Sequence, residues 1–125
     1  MQRDANALAD LIKPSNLNVC LLLTYQLAKN AAKEKHLSCE HIGQAKNIVD
    51  IMSVNLMMRR VGADERDLNY KDRQNDIEAS IIDQDKEYLL IFVDKNRNGP
   101  VLQEPLLYEV DYSRQVIKEK GYAIL

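Results

Sequence analysis

The sequence predicts an α+β fold, in which an N-terminal antiparallel helical hairpin, with a short helix before it, packs on a mostly antiparallel four-stranded meander. Apolar residues recur at helical spacing up to Gly62, and they alternate or run in short β-rich blocks after about Asp76. The 125 residues are 46% hydrophobic and 29% charged, as is usual for globular proteins. We expect one domain over 1–125, with a helical layer at 1–62, a charged connector at 63–75 and the meander at 76–125.

Three apolar stripes predict the helical layer. A short helix at 3–12 ends before Pro14, because the residue before a proline is forced out of the helical region. A second helix covers about 16–35. A third begins at the cap residue Ser38 and ends before Gly62, which suits the left-handed position after a helix. Only a few residues separate the second and third helices, so we expect them to pack as an antiparallel hairpin.

The meander is predicted from period-two alternation. Its strands are expected at 77–81, 88–93, 106–112 and 115–118, the last resuming at 122–125. The second of these is apolar throughout, so we expect a central strand covered on both faces. A helix over 113–120 is the competing interpretation of the last segment, but Val116 and Ile117 favour a strand.

No targeting or membrane segment is visible in the sequence. The start of the chain is polar, and the longest apolar cluster, 19–23, is far shorter than the roughly 20 residues needed to cross a bilayer. The two cysteines, Cys20 and Cys39, do not make a disulfide framework. We therefore expect a cytoplasmic protein with two reduced thiols and no contact with a membrane.

Charge is distributed unevenly along the chain. Up to Gly62 there are eight Lys or Arg and five Asp or Glu, whereas from Ala63 onward there are nine and fourteen, which together give the net charge of −2. Nucleic-acid binding needs a cationic surface to neutralise phosphates, so this acidity argues against it for the second half of the chain. We expect a non-enzymatic protein of the inhibitor, immunity-protein or adaptor type, which binds a basic macromolecular partner. The candidate partner-binding residues are Asp64, Glu65, Asp67, Asp72, Asp76, Asp83 and Asp85.

The alternative hypothesis is a small-ligand-binding or enzymatic domain with a pocket between the helices and the sheet. Tyrosine offers an apolar body and a polar tip, which suits a pocket wall, and four tyrosines fall on the predicted sheet. The candidate pocket residues are Tyr88, Tyr108, Glu109, Asp111 and His41. Because no nucleophile motif or phosphate loop occurs, we assign no catalytic residue.

One segment resembles the start of a calcium-binding loop. Residues 94–99 read Asp-Lys-Asn-Arg-Asn-Gly, which places oxygen donors at the first, third and fifth loop positions. Two features count against calcium: Glu104 falls at the eleventh loop position and not the twelfth, and Lys95 and Arg97 bring positive charge between the donors. We therefore expect no metal and no cofactor. If a metal did bind, its candidate ligands would be Asp94, Asn96, Asn98 and Glu104. Cys39 in the first turn of a helix would have a lowered thiol pKa, which makes a reactive thiolate conceivable.

The apolar strand expected at 88–93 also leads us to predict self-association. Its residues alternate between two apolar faces, and the short first helix is too small to cover the second face. An uncovered face of several strands would exceed the few hundred Å² of apolar surface that monomers normally expose. We therefore expect a homodimer, with a sheet curled around its own interior as the alternative.

Overall fold

The computed structural model describes residues 18–41, 52–72 and 80–125, together with residues 7 and 10. This part of the chain forms a six-stranded sheet with the order β1-β4-β5-β6-β2-β3, in which every neighbouring pair is antiparallel. The strands are β1 (Val54–Arg60), β2 (Asn69–Asp72), β3 (Ser80–Ile81), β4 (Glu87–Asn96), β5 (Leu106–Asp111) and β6 (Val116–Ile124). Three 3₁₀ helices span Lys29–Lys33, Cys39–His41 and Ala63–Glu65.

The predicted helical hairpin is wrong. Within the second predicted helix, residues 18–28 have no regular secondary structure and only Lys29–Lys33 forms a short 3₁₀ helix. The end of the third predicted helix is strand β1, which pairs with β4. The α+β class is thereby replaced by a mainly β fold. Most of the predicted first helix and residues 42–51 lie outside the described residues.

The physical reason for this error is that the burial of β1 alternates while the polarity of its sequence does not. In β1, Asn55 and Met57 are buried while Leu56 and Met58 are exposed, which is the alternation of a strand with one covered face. Pairing with β4 hydrogen-bonds one side of the β1 backbone to residues 29 to 42 positions further along the chain. A long-range contact of this kind overrides the local helical spacing.

The four-stranded meander is also wrong, because the sheet has six strands and β3, at the place of the first predicted meander strand, pairs with β2 and not with β4. The strands β4, β5 and β6 are consecutive in sequence and adjacent in the sheet. The strand at 88–93 lies within β4 and that at 106–112 corresponds to β5, although β4 continues through 94–96, where a loop was expected. The helical alternative for 113–120 is wrong, because β6 begins at Val116. The connector at 63–75 contains an additional strand, β2, and the strand expected at 77–81 is described only as β3.

Glycine is required where β6 pairs with β2. Gly121 has a φ of +145°, and a Cβ atom at this position would overlap the carbonyl oxygen of Lys71 on β2. The neighbouring register aligns Asp72 with Gly121 and Tyr70 with Ala123. The absence of a side chain at Gly121 therefore permits the close approach of the two strands.

The hydrophobic core lies on one face of the sheet, which we call the inner face. Its most deeply buried members include Leu37, Leu90, Leu107 and Ala123, each at most 1% exposed. The connection between β1 and β2, residues 61–68, also lies against this core, because Val61, Glu65 and Leu68 are buried. Among the described residues, no helix is long and apolar enough to span a membrane.

Candidate functional site

Two acidic turns lie side by side at one end of the sheet. The Arg66 side chain donates a hydrogen bond to the carbonyl oxygen of Lys86 (2.6 Å), and the Gln84 side chain donates one to the carbonyl oxygen of Arg66 (2.5 Å). The backbone N–H of Ile82 donates to the carbonyl oxygen of Leu68 (3.1 Å). Together these three bonds hold the segment after the Ala63–Glu65 helix against the turn that precedes β4.

Four of the predicted partner-binding residues lie on these two turns, and we call them the acidic surface: Asp64, Asp67, Asp83 and Asp85. All four are exposed. Asp83 accepts the backbone N–H of Asp85 (3.0 Å) and lies 3.9 Å from the Lys86 ammonium. Among the described residues, the other three carboxylates have no ion pair or hydrogen bond. They are therefore free to interact with a partner.

Glu65 differs from its acidic neighbours because it is buried and fully paired. Arg59 donates two hydrogen bonds to the Glu65 carboxylate (2.7 and 2.8 Å), and the backbone N–H of Gly62 donates a third (2.9 Å). Burial by itself raises the pKa of Glu65, but these bonds and the charge of Arg59 outweigh it and leave the pKa below its ordinary value. The arrangement makes Glu65 a structural residue rather than a surface acid.

Arg59 extends this pair into a network that sequence reasoning missed. Its guanidinium donates two further hydrogen bonds to the carbonyl oxygen of Lys35 (2.9 and 2.6 Å) and lies 5.8 Å from the Phe92 ring centroid. His36 packs edge-on against the same ring at 4.9 Å. The spacing from Gly62 to Glu65 is that of a capping box, and this was the one local signal for the role of Glu65.

Of the two remaining acidic candidates, the structure describes Asp72 alone. Asp72 is the last residue of β2 and is exposed, and Asp76 lies outside the described residues. The structure therefore gathers four of the seven predicted residues on one surface.

The candidate pocket residues do not converge on one cavity. Tyr88 and Glu109 are cross-strand neighbours on the inner face, but the Tyr88 hydroxyl accepts the backbone N–H of Asp83 (3.1 Å). Glu109 lies 2.9 Å from the Lys86 ammonium, and this contact raises the Lys86 pKa. By strand alternation, Tyr108 lies on the opposite face. His41 is the last residue of the Cys39–His41 helix, and its side chain lies outside the described part of the chain.

Asp111 stabilises the turn between β5 and β6. Its carboxylate accepts hydrogen bonds from the Ser113 hydroxyl (2.7 Å) and from the backbone N–H groups of Ser113 and Arg114 (3.1 and 3.2 Å). The bond from the Ser113 hydroxyl contributes most to holding the Asp111 pKa below its ordinary value. This geometry is that of a turn cap, not of a ligand-binding carboxylate.

Two of the oxygen-donor side chains in residues 94–99, the segment that resembles a calcium-binding loop, are engaged in other hydrogen bonds. Asp94 accepts the backbone N–H of Cys39 (3.0 Å), and Asn96, the last residue of β4, donates to the carbonyl oxygen of Pro100 (3.4 Å). Asn98 and Glu104 are exposed in the following loop. Within the described ranges, no three His, Cys, Asp or Glu side chains are grouped to hold a metal ion.

Cys39 lies in an environment that disfavours its thiolate. Burial raises the pKa of the Cys39 thiol, and the nearby Asp94 carboxylate raises it further. The expected lowering by a helix dipole is wrong, because Cys39 begins a 3₁₀ helix of three residues and not a long α-helix. Cys39 is therefore a thiol at neutral pH and a poor nucleophile.

Comparisons with protein-family models, with curated proteins and with solved structures found no match to this chain.

Proposed function

We propose that this protein is a non-enzymatic binding protein whose acidic surface contacts a basic protein partner. The observation that carries the proposal is that Asp64, Asp67 and Asp85 are exposed and unpaired among the described residues, on two turns held together by Arg66 and Gln84. Such a surface presents negative charge at fixed positions. A basic partner would pair with these carboxylates without first breaking internal ion pairs.

Electrostatics supports this role through the rate and specificity of association. Complementary charges steer two proteins toward a productive encounter, and they penalise partners of the wrong sign. Hydrogen bonds that fix the two turns in the free protein lower the ordering cost of binding. The expected partner therefore has a cluster of lysines and arginines, and its complex weakens as salt is added.

The experiment compares a charge-neutralised variant with a matched control. Tagged wild-type protein, D64N/D67N/D85N and the control E40Q/E104Q/E119Q, which removes the same charge elsewhere, are used for affinity capture at low salt. We expect one basic protein to be retained by the wild type and the control, lost by the variant and eluted at about 0.5 M salt, where screening is strong. The proposal is rejected if no captured protein depends on the three aspartates, or if salt does not release it.

The alternative function, a small-ligand or enzymatic domain, receives no support from its candidate residues. Tyr88, Glu109 and Asp111 are engaged in structural contacts, and the two helices that were to form one wall of the pocket are not present in the described chain.

A further inference from the structure

A cleft of about 470 Å³ separates the N-terminal segment from the end of β1. Residues 27–37 form one wall, and the opposite wall runs from Arg59 to Glu65. The volume lies within the roughly 300–1,000 Å³ of pockets that hold small organic ligands. The cleft is thus large enough for a small molecule and too small for a folded partner.

The inner part of the cleft is apolar. Ala31 and Leu37 lie at its base and are 4% and 1% exposed, so they are packed into the core and leave little surface of their own for a ligand. Leu27 and Ala28 are half-buried and also contribute to the lining. This surface suits the apolar or aromatic part of a ligand.

The rim of the cleft carries an excess of unpaired positive charge. Lys29, Lys33 and Lys35 line it and are exposed, and in the part of the chain that the structure describes none of them lies in an ion pair. Among the described residues that line the cleft, the unpaired acids are Glu34 and Asp64, because Glu65 is already paired with Arg59. Three lysines around one opening provide point charges of the kind that bind phosphate groups.

The Arg59 network fixes the shape of the cleft. Arg59 connects both walls, because it donates to the carbonyl oxygen of Lys35 on one side and to Glu65 on the other. The site therefore exists before any ligand arrives, which lowers the entropic cost of binding.

From these observations we propose that the cleft binds a small organic phosphate. Its apolar part contacts Leu27 and Ala28, and its phosphate lies among Lys29, Lys33 and Lys35. This site is separate from the protein–protein contact of the acidic surface, although Asp64 lies at the edge of both.

The test uses phenyl phosphate as the probe, with phenol and inorganic phosphate as its two halves. Binding is followed by the backbone amide chemical shifts of the ¹⁵N-labelled protein. The residues whose shifts change locate the site, and the dependence of these changes on probe concentration gives the affinity. We expect phenyl phosphate to shift amides within 27–37 and 59–65 and to bind at least about tenfold more tightly than either half. Shifts confined to other parts of the chain, or equal affinity for phenol, would overturn the proposal.

Two lysine variants separate the cleft from general positive charge. K29Q/K33Q/K35Q should weaken phenyl phosphate binding by at least about tenfold at low salt, whereas K71Q/K118Q/K120Q, which removes the same charge from β2 and β6, should leave it within about twofold. Both variants change exposed or half-exposed side chains, so their melting temperatures check that the fold is intact. Equal loss in both variants, or no binding by the wild type at millimolar probe, rejects the site. D67N/D85N should leave binding unchanged, which keeps this test independent of the acidic surface.

Discussion

At the scale of single residues, Asp64 and Glu65 are adjacent acids with opposite roles. Asp64 is exposed and unpaired among the described residues, whereas Glu65 is 8% exposed and accepts hydrogen bonds from Arg59 and Gly62. The charge pattern of the sequence cannot separate them, because it records sign and not burial. Only the position of Glu65 three residues after Gly62 indicates that this acid turns inward.

This difference predicts unequal effects of neutralising the two acids. Glu65→Gln leaves the Arg59 guanidinium partly buried without its counter-charge, so we expect a loss of about 2 kcal/mol in the free energy of unfolding. Asp64→Asn should change it by less than about 0.5 kcal/mol, because an exposed, unpaired side chain contributes little. Urea unfolding of both variants measures the values. Equal losses would show that the Arg59–Glu65 pair does not stabilise the fold.

The same pair predicts a pH dependence of stability. The pKa of Glu65 is lower in the folded than in the unfolded chain, so its contribution is complete above the unfolded value of about 4.3 and is lost as pH falls through the folded value. The difference in unfolding free energy between wild type and Glu65→Gln should be constant near neutral pH and shrink in acid. A difference that grows on acidification would contradict the assignment.

The turn before β6 predicts a stabilising substitution. Gln115 has a φ of +56°. This left-handed backbone conformation has a higher conformational energy for a residue with a Cβ atom than for glycine. Gln115→Gly should raise the free energy of unfolding by roughly 0.5 kcal/mol, since relief of this strain exceeds the added entropy of the unfolded chain. Arg114→Gly is the control, because φ at Arg114 is not positive, and it should destabilise the protein. Thermal unfolding of both proteins gives the comparison.

At the scale of secondary-structure elements, prediction succeeded where the contacts are local. β4, β5 and β6 follow one another in sequence and pair as neighbours, so alternation within each strand was sufficient to find them. β1 and β2 pair with strands far along the chain, and their sequences contain no comparable signal. The spacing from Met52 to Leu56 fits one turn of a helix, while the distant partner β4 selects a strand. The site followed the same rule: charge identified the exposed acids but not the Arg59 network or the cleft.

The close pairing of β2 with β6 predicts that adding one methyl group at Gly121 strongly lowers the stability of the fold. Gly121→Ala places a Cβ against the Lys71 carbonyl at a positive φ, so we expect a loss of at least about 2 kcal/mol in the free energy of unfolding. Amide exchange should accelerate most in β2. Gly99→Ala is the matched control: its new Cβ meets the movable side chain of Asn96, and the change should be within about 0.5 kcal/mol. Similar losses in both variants would contradict the close-approach argument.

At the scale of the whole molecule, the outer face of the sheet supports the proposal of a homodimer. Leu56 and Met58 on β1 are 55% and 59% exposed, and Leu89, Ile91 and Val93 on β4 are only half-buried. An apolar face of this kind favours a second copy of the chain as its cover. Light scattering at micromolar concentration should give twice the 14.4 kDa chain mass, and Leu56→Glu with Met58→Glu should halve it. A wild-type mass near 14.4 kDa rejects the dimer.

The strand order also determines when the protein can fold during its synthesis. β1 and β2 emerge from the ribosome long before β4 and β6, the strands that provide their main-chain partners. The cleft is bordered by the end of β1, so its second wall is not fixed in the sheet before β4, through residue 96, has left the exit tunnel. Nascent β1, which carries Leu56 and Met58, therefore has no strand partner until β4 follows it out of the ribosome, and unpaired apolar segments of this kind are prone to aggregate.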